Sequence, residues 1–570
     1  MNKNRLKAFA PRTRNKLLEQ ISAKALRYGI DFKKGTISET DSVEVRAKAR
    51  QIGELRQEIA RTSFDETLEK VAYTWFNRFI AIRFMEVNGY LRTRPLSSSE
   101  GHITPDILAE AQSGTLDPSL NIDSARLREL LGANELESAY QMLLVALFNQ
   151  LNESMPYMFE KIDDYTELLM PDNLLSQSSV IRDIVEEVDE EDWKDVQIIG
   201  WLYQFYISDK KAEVDANVKR GRKVTEAELS PKTALFTPHW IVRYMVENSL
   251  GKLWLANHPD SGLREHMRYY IETDEPLENF PKIDSPEEIT FLDPCSGSGH
   301  ILVYAFDLLM KIYEERMYDT RDAVTHILTK NLYGFEIDGR SAALANYALA
   351  MRAMHYYPKF LRRLKITPNV FAIENLTIDE ETLREYAGKV GHDLFTADLV
   401  ENLETFRHGR TFGSLIVPTV AGADDIAQRL DGMNFNDDLF MRDAHEEVKA
   451  LVRQMGYLQK QYTCTVTNPP YLGKGMNEDL KSFVKKHYPD SKSDLFACFM
   501  ERSLDFTVDG GLMGMINQHS WMFLSSYEKL RKKIIENHKI DTLVHLGPRT
   551  FEEISGEVVQ SVAFVLQKGK

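Results

Sequence analysis

Asn468-Pro469-Pro470-Tyr471 places a primary amide, two proline carbonyls and an aromatic ring within four residues. The side-chain oxygen of Asn468 accepts a hydrogen bond, and Pro469 has no N–H to donate but offers its carbonyl. Tyr471 adds a π-face for stacking. Such a set can hold a flat ring that carries an exocyclic amine. It points to methylation of that amine, with adenine first among the candidates. A rigid proline turn is the other reading of the same four residues. The preceding run, Tyr462-Thr463-Cys464-Thr465-Val466-Thr467, predicts a β-strand that ends at the tetrapeptide.

A second constellation lies upstream. A strand expected over Ile289–Leu292 leads into Asp293-Pro294-Cys295-Ser296-Gly297-Ser298-Gly299-His300, and a helix is expected over Ile301–Glu315. Strand, glycine turn and helix form the opening unit of a Rossmann-like site. Gly297 and Gly299 would let a ligand approach the backbone where a Cβ would collide; an ordinary tight turn is the alternative. A second strand, Leu332–Phe335, ends at Glu336-Ile337-Asp338, where an acid can accept ribose hydroxyls. The interval exceeds the usual spacing of about 20 residues, and a helix expected over Thr320–Leu328 accounts for the excess. A helix-start carboxylate is the other reading of Glu336. No Gly-x-x-x-x-Gly-Lys-Ser/Thr loop accompanies this turn, which argues against ATP. Asp293 beside the turn suits a cation better than a pyrophosphate. S-adenosylmethionine, with its sulfonium and ammonium and no phosphate, is therefore the expected cofactor. The three cysteines are far apart and form no CxxC pair, so no metal site is expected. Cys464 and Cys498 are read as core residues.

The elements that must position these residues follow from the pattern of the 570-residue chain. Residues 1 to about 225 read as a helical N-terminal domain, with an apolar stripe over Asp65–Tyr90 repeated over Leu127–Leu151. Glu186–Asp195 reads as acidic surface, and residues 209–232 read as a charged connector. From about 226 to 570 strand-like runs alternate with helices: Ile289–Leu292, Leu332–Ile337, Asn369–Ile373, Tyr462–Thr467, Leu512–Asn517, Thr542–Leu546 and Val559–Leu566. This alternation predicts an α/β domain built on a mostly parallel sheet. An insertion is expected at about 377–455, including helical Glu446–Tyr457. The net charge of −16 is unfavourable for a nucleic-acid enzyme as a whole, so local basic surfaces would have to serve. Three are candidates: Lys3 to Lys16, the run Lys219–Lys223, and Lys474, Lys481, Lys485, Lys486 and Lys492 beyond the tetrapeptide. No apolar leader and no apolar run of membrane-spanning length stands out, so the expected setting is the cytoplasm without a membrane.

Taken together, these segments resemble the γ-type DNA amino-methyltransferases. Phe236-Thr237-Pro238 is similar to the motif that precedes their glycine turn, and Ser493-Asp494-Leu495-Phe496 to a segment lining the pocket. Gly510–Ile516 is similar to the next core strand, and Phe551 to the aromatic beside a flipped base. Four further segments resemble the PglX family, adenine methyltransferases of BREX phage defence. They are Ala8–Arg14, Tyr73–Arg78, Ile162–Leu168 and Leu235–Tyr244. The resemblance implies a site-specific DNA N6-adenine methyltransferase acting on a flipped-out base in double-stranded DNA, with other BREX proteins as partners. It implies Asn468, Pro469, Pro470 and Tyr471 as catalytic residues, and Tyr471 with Phe551 around the base. For the cofactor it implies Thr237, Asp293, Pro294, Gly297, Gly299, Glu336, Asp338 and Asp494. Family members are longer, so a target-recognition domain is expected to be absent here. Cys295-Ser296 departs from the family's usual Ala-Cys. Methylation of RNA or protein glutamine, a combined restriction–modification enzyme and a non-catalytic cofactor-binding subunit remain as alternatives.

Overall fold

A computed structural model describes residues 1–161, 164–273, 275–391, 393–435, 438–548, 550–551 and 560–569, except for the side chains of 439 and 440. Ile162, Asp163 and Arg549, which belong to two of the resembling segments, lie outside the described residues, as does Val559 of the last expected strand. The chain divides into two units. One comprises Met1–Asp209 with Ala350–Thr367, the other Lys210–Leu349 with Pro368–Lys570.

The first unit is helical. Helix α1 (Lys3–Leu26) packs on α2 (Phe64–Val87) and on the helix Gln197–Tyr206. Ser63 caps α2 by accepting the Glu66 N–H, and Asp65 and Glu66 complement the helix dipole. The sequence predicts an apolar stripe for α2, yet the helix is buried on most faces: Arg78, Arg83 and Glu86 lie inside with the aromatics. Arg83 reaches Glu86 at 2.5 Å, which lets both charges stay buried. The helix expected across Leu127–Leu151 is instead two, Ser124–Gly132 and Leu136–Asn152. Asn134 sits between them at φ +57°, the left-handed conformation that stops a helix.

The acidic stretch is not idle surface. Arg5 pairs with Asp189 at 2.7 Å, Lys16 with Asp183 at 2.5 Å, and Arg12 with Glu187, while Arg14 pairs with Glu69. The first candidate basic surface is thus largely spent on carboxylates of its own unit.

In the second unit each of the seven expected runs contributes a strand: β1 (Phe291–Asp293), β2 (Leu332–Glu336), β3 (Val370–Ala372), β4 (Tyr462–Thr467), β5 (Thr507–Gln518), β6 (Lys539–Pro548) and β7 (Gln560–Gln567). They form one sheet in the order 3-2-1-4-5-7-6, in which β7 runs opposite to the other six. The fold class is therefore α/β with a mostly parallel sheet, as the alternation predicts. Strand β5 begins five residues earlier than expected. Gly510 (φ +77°) carries the strand past Asn279, whose carbonyl would lie 1.9 Å from any Cβ there. The charged connector is in fact helical, Ser208–Lys219 and Glu226–Thr233.

The insertion is helical too, with Glu380–Val390, Ala397–Thr405, Ala423–Asp431 and Leu439–Gln459 as its longer elements. It does not stand apart. Tyr386, Leu399, Phe406, Leu430 and Val448 share one hydrophobic core with Leu292 and Phe335 of the sheet. Gln454 donates to the Ala372 carbonyl at 2.9 Å, which fixes the last insertion helix to the end of β3. Among the described residues no helix is long and apolar enough to cross a membrane.

Trp75 is fully buried against Phe79 and Phe148, and its Nε1 donates to the Thr166 carbonyl at 3.1 Å. Trp75→Ala should lower stability by about 3–5 kcal/mol, read as a fall in the urea midpoint of the first unit.

Candidate active site

The strand order reverses at β1. Its neighbours are β2 on one side and β4 on the other. Ligands of open α/β sheets bind at this switch point, beyond the carboxyl ends of the strands. Both predicted constellations lie there, because Asp293 ends β1 and Thr467 ends β4.

The glycine turn joins β1 to helix α3 (His300–Glu315). The Ser296 N–H donates to the Phe335 carbonyl at 2.9 Å, tying the turn to β2. Gly297 (φ +51°) has nothing within 4 Å of where a Cβ would sit, so its outer side is open. Gly299 (φ +82°) is closed instead, since a Cβ would come within 2.9 Å of Ala345. The Gly297 N–H donates to Glu336 Oε2 at 2.8 Å, and Oε1 accepts from Ile337 and Asp338 at 2.9 and 3.1 Å. Of about four acceptor positions on a carboxylate, three are thus filled by backbone amides. Burial still pushes Glu336 up to about 7. Burial does the same to Asp293, also up to about 7, against the opposing hydrogen bond from the Cys295 amide. The two acids of the pocket are therefore poised near neutrality. Asp338 is different. Despite its burial, the Arg340 guanidinium holds it down at about 2, with bonds of 3.0 and 2.9 Å, and the Ser230 hydroxyl adds another at 3.0 Å. Its carboxylate faces these partners rather than Gly297.

Asn468 follows β4. Its Nδ2 donates to Thr237 Oγ1 at 3.1 Å and to the Leu235 carbonyl at 3.4 Å. Two acceptors on one side assign the amide orientation, so Oδ1 faces the other way, where the Tyr471 hydroxyl donates to it at 3.0 Å. The same hydroxyl lies 3.3 Å from the Ile516 carbonyl of β5. Thr237 is therefore placed on Asn468. Asp494 Oδ1 accepts from Leu472 at 2.9 Å and caps helix α4 (Leu495–Phe506), and burial pushes its carboxyl up to about 6. It locks the chain just after the tetrapeptide. Phe496 and Phe551 both stand edge-on to Tyr471, at 6.1 and 6.5 Å.

Several contributors escape sequence reasoning. Ser414, from the insertion, donates to the Pro294 carbonyl at 2.6 Å across 120 residues. His300 stacks under Phe236 at 4.4 Å, and burial holds it neutral, at about 3. Neither contact has a local signal in the sequence, unlike the Asp338–Arg340 pair, whose spacing of two residues is visible there. The Cys295 thiol is pushed well above its usual range by burial, as is that of Cys464. Among the described residues no group of three or more His, Cys, Asp or Glu side chains could hold a metal ion.

Two basic groups converge beside the tetrapeptide. Lys223 donates to the Lys474 carbonyl at 2.6 Å, and Val224 to that of Gly475 at 3.0 Å. Lys474, Lys481, Lys485, Lys486 and Lys492 are all exposed.

Residues 330–551 match the Eco57I restriction-modification methylase family. Over its whole length the chain is 38% identical to an adenine-specific methyltransferase BrxX of Escherichia coli O9:H4 (strain HS). Along all of its residues the chain is similar to BrxX and PglX proteins. The PglX relative, an adenine-specific methyltransferase of Lacticaseibacillus casei (strain Zhang), is 36% identical, again across all of this chain. The chain spans about half the length of these BrxX and PglX relatives, 50% and 51%. Among solved structures, the cryoEM DrdV–DNA complex superimposes with a TM-score of 0.43 at 12% identity, over 99% of this chain and 42% of that one.

The acids at the turn give a directional test. A carboxyl whose folded value is about 7 takes up a proton on folding at any pH between there and its unfolded value of about 4. Its contribution to stability therefore rises as pH falls through 7. The melting temperature gained between about pH 7.5 and about pH 5.5 should be smaller in Glu336→Gln than in the parent protein, as differential scanning fluorimetry would show.

Proposed function

We propose that this chain carries the methyl-transfer half of a site-specific DNA N6-adenine methyltransferase, acting on a flipped-out adenine in BREX-type phage defence. The observation that carries the reading is Asn468. Its amide is pinned from behind by Thr237 and Leu235, and its carbonyl is presented beside the Tyr471 ring at the switch point of the sheet.

The turn fits S-adenosylmethionine. Gly297 leaves open the space a Cβ would fill, and Glu336 Oε2 keeps an acceptor position for a ribose hydroxyl. Asp293, Pro294 and Gly299 shape the turn, while Asp338 acts through Arg340 and Ser230 rather than on the ribose. When bound, S-adenosylmethionine supplies a methyl group on a sulfonium. Asn468 Oδ1 and the Pro469 carbonyl accept hydrogen bonds from the adenine N6 amine, which draws the nitrogen lone pair out of the ring conjugation. Pro470 stiffens the turn, Tyr471 stacks on the base, and Phe551 stands beside it. Base stacking of this kind contributes roughly 1–3 kcal/mol per base. To make its new bonds, Asn468 gives up the one from Tyr471. The chain's main contribution is orientation, because a correctly held reactant pair removes much of the barrier.

The lysines around Lys223 and Lys474 suit phosphates of a duplex, and the names of the relatives support adenine as the target. The longer relatives leave room for a part that chooses the sequence. Asn468→Ala should retain cofactor binding by calorimetry and lose methyl transfer by about 100-fold or more; transfer at the parental rate would sink the assignment. Thr237→Val frees the Asn468 amide without touching the base. It should slow transfer by about tenfold with little change in cofactor affinity, measured by tritiated methyl incorporation.

A further inference from the structure

Strand β5 leads through two short turns, His519–Met522 and Ser525–Tyr527, into helix α5 (Glu528–Asn537). This stretch is anchored to the tetrapeptide at both ends. The Ile516 carbonyl lies 3.3 Å from the Tyr471 hydroxyl, and Tyr527 packs 5.7 Å from Phe496, itself edge-on to Tyr471. Its middle is braced from inside. Trp521 is buried and donates to Asn517 Oδ1 at 3.0 Å. Arg531 donates to the carbonyls of Trp521 and Leu524, at 2.8 and 2.5 Å. Yet on this fixed backbone Phe523 and Leu524, adjacent in sequence, are 63% and 53% exposed. Two large apolar side chains held rigidly in solvent beside a site are an informative exception to ordinary burial.

The surroundings are basic. Helix α5 carries Lys529, Arg531, Lys532 and Lys533 against Glu528 and Glu536, in a chain whose net charge is −16. Lys533 is held by Asp490 at 2.6 Å, but Lys529 and Lys532 keep 83% and 71% of their side chains exposed and lie 3.9 and 3.7 Å from Asp490 and Glu536, their carboxylate neighbours among the described residues. An apolar tip flanked by exposed lysines matches a polyanion with an apolar interior, which is the build of duplex DNA.

We propose that Phe523 and Leu524 form a wedge that enters the base stack of duplex DNA and fills the gap left by the extruded adenine, with Lys529 and Lys532 on the flanking phosphates. The inference rests on the DNA reading above. Apolar side chains inserted between base steps offset the cost of unstacking, and that cost is smallest for a base already unpaired. The wedge should therefore matter for a paired adenine and be dispensable for an unpaired one. A docking site for a protein would be blind to that difference.

The test uses the full chain and an oligonucleotide duplex carrying its methylated site, with the target adenine either paired or opposite an abasic position. Phe523→Ala/Leu524→Ala should methylate the paired duplex at least tenfold more slowly and the unpaired one within about twofold of the parent protein. Phe523→Leu should restore most of the paired rate. Unchanged melting and cofactor affinity would verify the fold. Equal loss on both duplexes, or parental rates on both, would overturn the wedge and leave the pair to another partner. A parent protein that methylates neither duplex would overturn the DNA reading itself.

Discussion

Two threonines hold the central strands in register. Thr290 and Thr463 each accept the other's backbone N–H through a side-chain oxygen at 3.0 Å, and Thr463 Oγ1 donates back to the Thr290 carbonyl at 2.8 Å. The register that follows sets Phe291 opposite Cys464 and Leu292 opposite Thr465. A slip of one residue would turn every side chain of β4 to the other face, and the tetrapeptide would no longer end level with the glycine turn. The two constellations have no other reason to meet, since they stand far apart in the chain. Everything chemical in this molecule depends on that short parallel pairing.

Around it, the polar groups are arranged as supports rather than as free ligands. The Asn468 amide, the Asp494 carboxylate and Asp338 are each engaged by neighbours of their own unit. A held side chain loses little freedom when a ligand arrives, which lowers the cost of binding. Glu336 shows the same economy: three backbone amides fix the carboxylate and leave one lone pair outward.

Much of this was legible in the sequence, and the reasons for the rest are physical. Continuous β-prone runs mark all seven strands of the sheet, because a strand buried on both faces needs apolar or β-branched residues along its whole length. Strand β5 starts before its apolar run because Gly510 lets the backbone pass Asn279. The glycine turn, Glu336 and Asn468 can be proposed from the sequence because each belongs to a short local motif. Asp338 is expected at the cofactor from its motif, while its bond to Ser230, 108 residues away, comes into view only in the fold. Thr237 is expected at the cofactor from its motif, while its contact with Asn468 spans 231 residues and comes into view only in the fold. The basic N-terminus suggests a nucleic-acid surface because charge runs do not disclose their partners; the acids that neutralise it are Asp183, Glu187 and Asp189, with Glu69 on Arg14.

The contact from Ser414 to the Pro294 carbonyl has a meaning in time as well as in space. As the chain leaves the ribosome, the glycine turn emerges long before its two most distant braces can form: Thr463 follows Thr290 by 173 residues, and Ser414 follows Pro294 by 120. Closing such loops costs entropy before any contact repays it. The turn that reads so clearly in the sequence thus acquires its working shape only after most of the second unit has been synthesised.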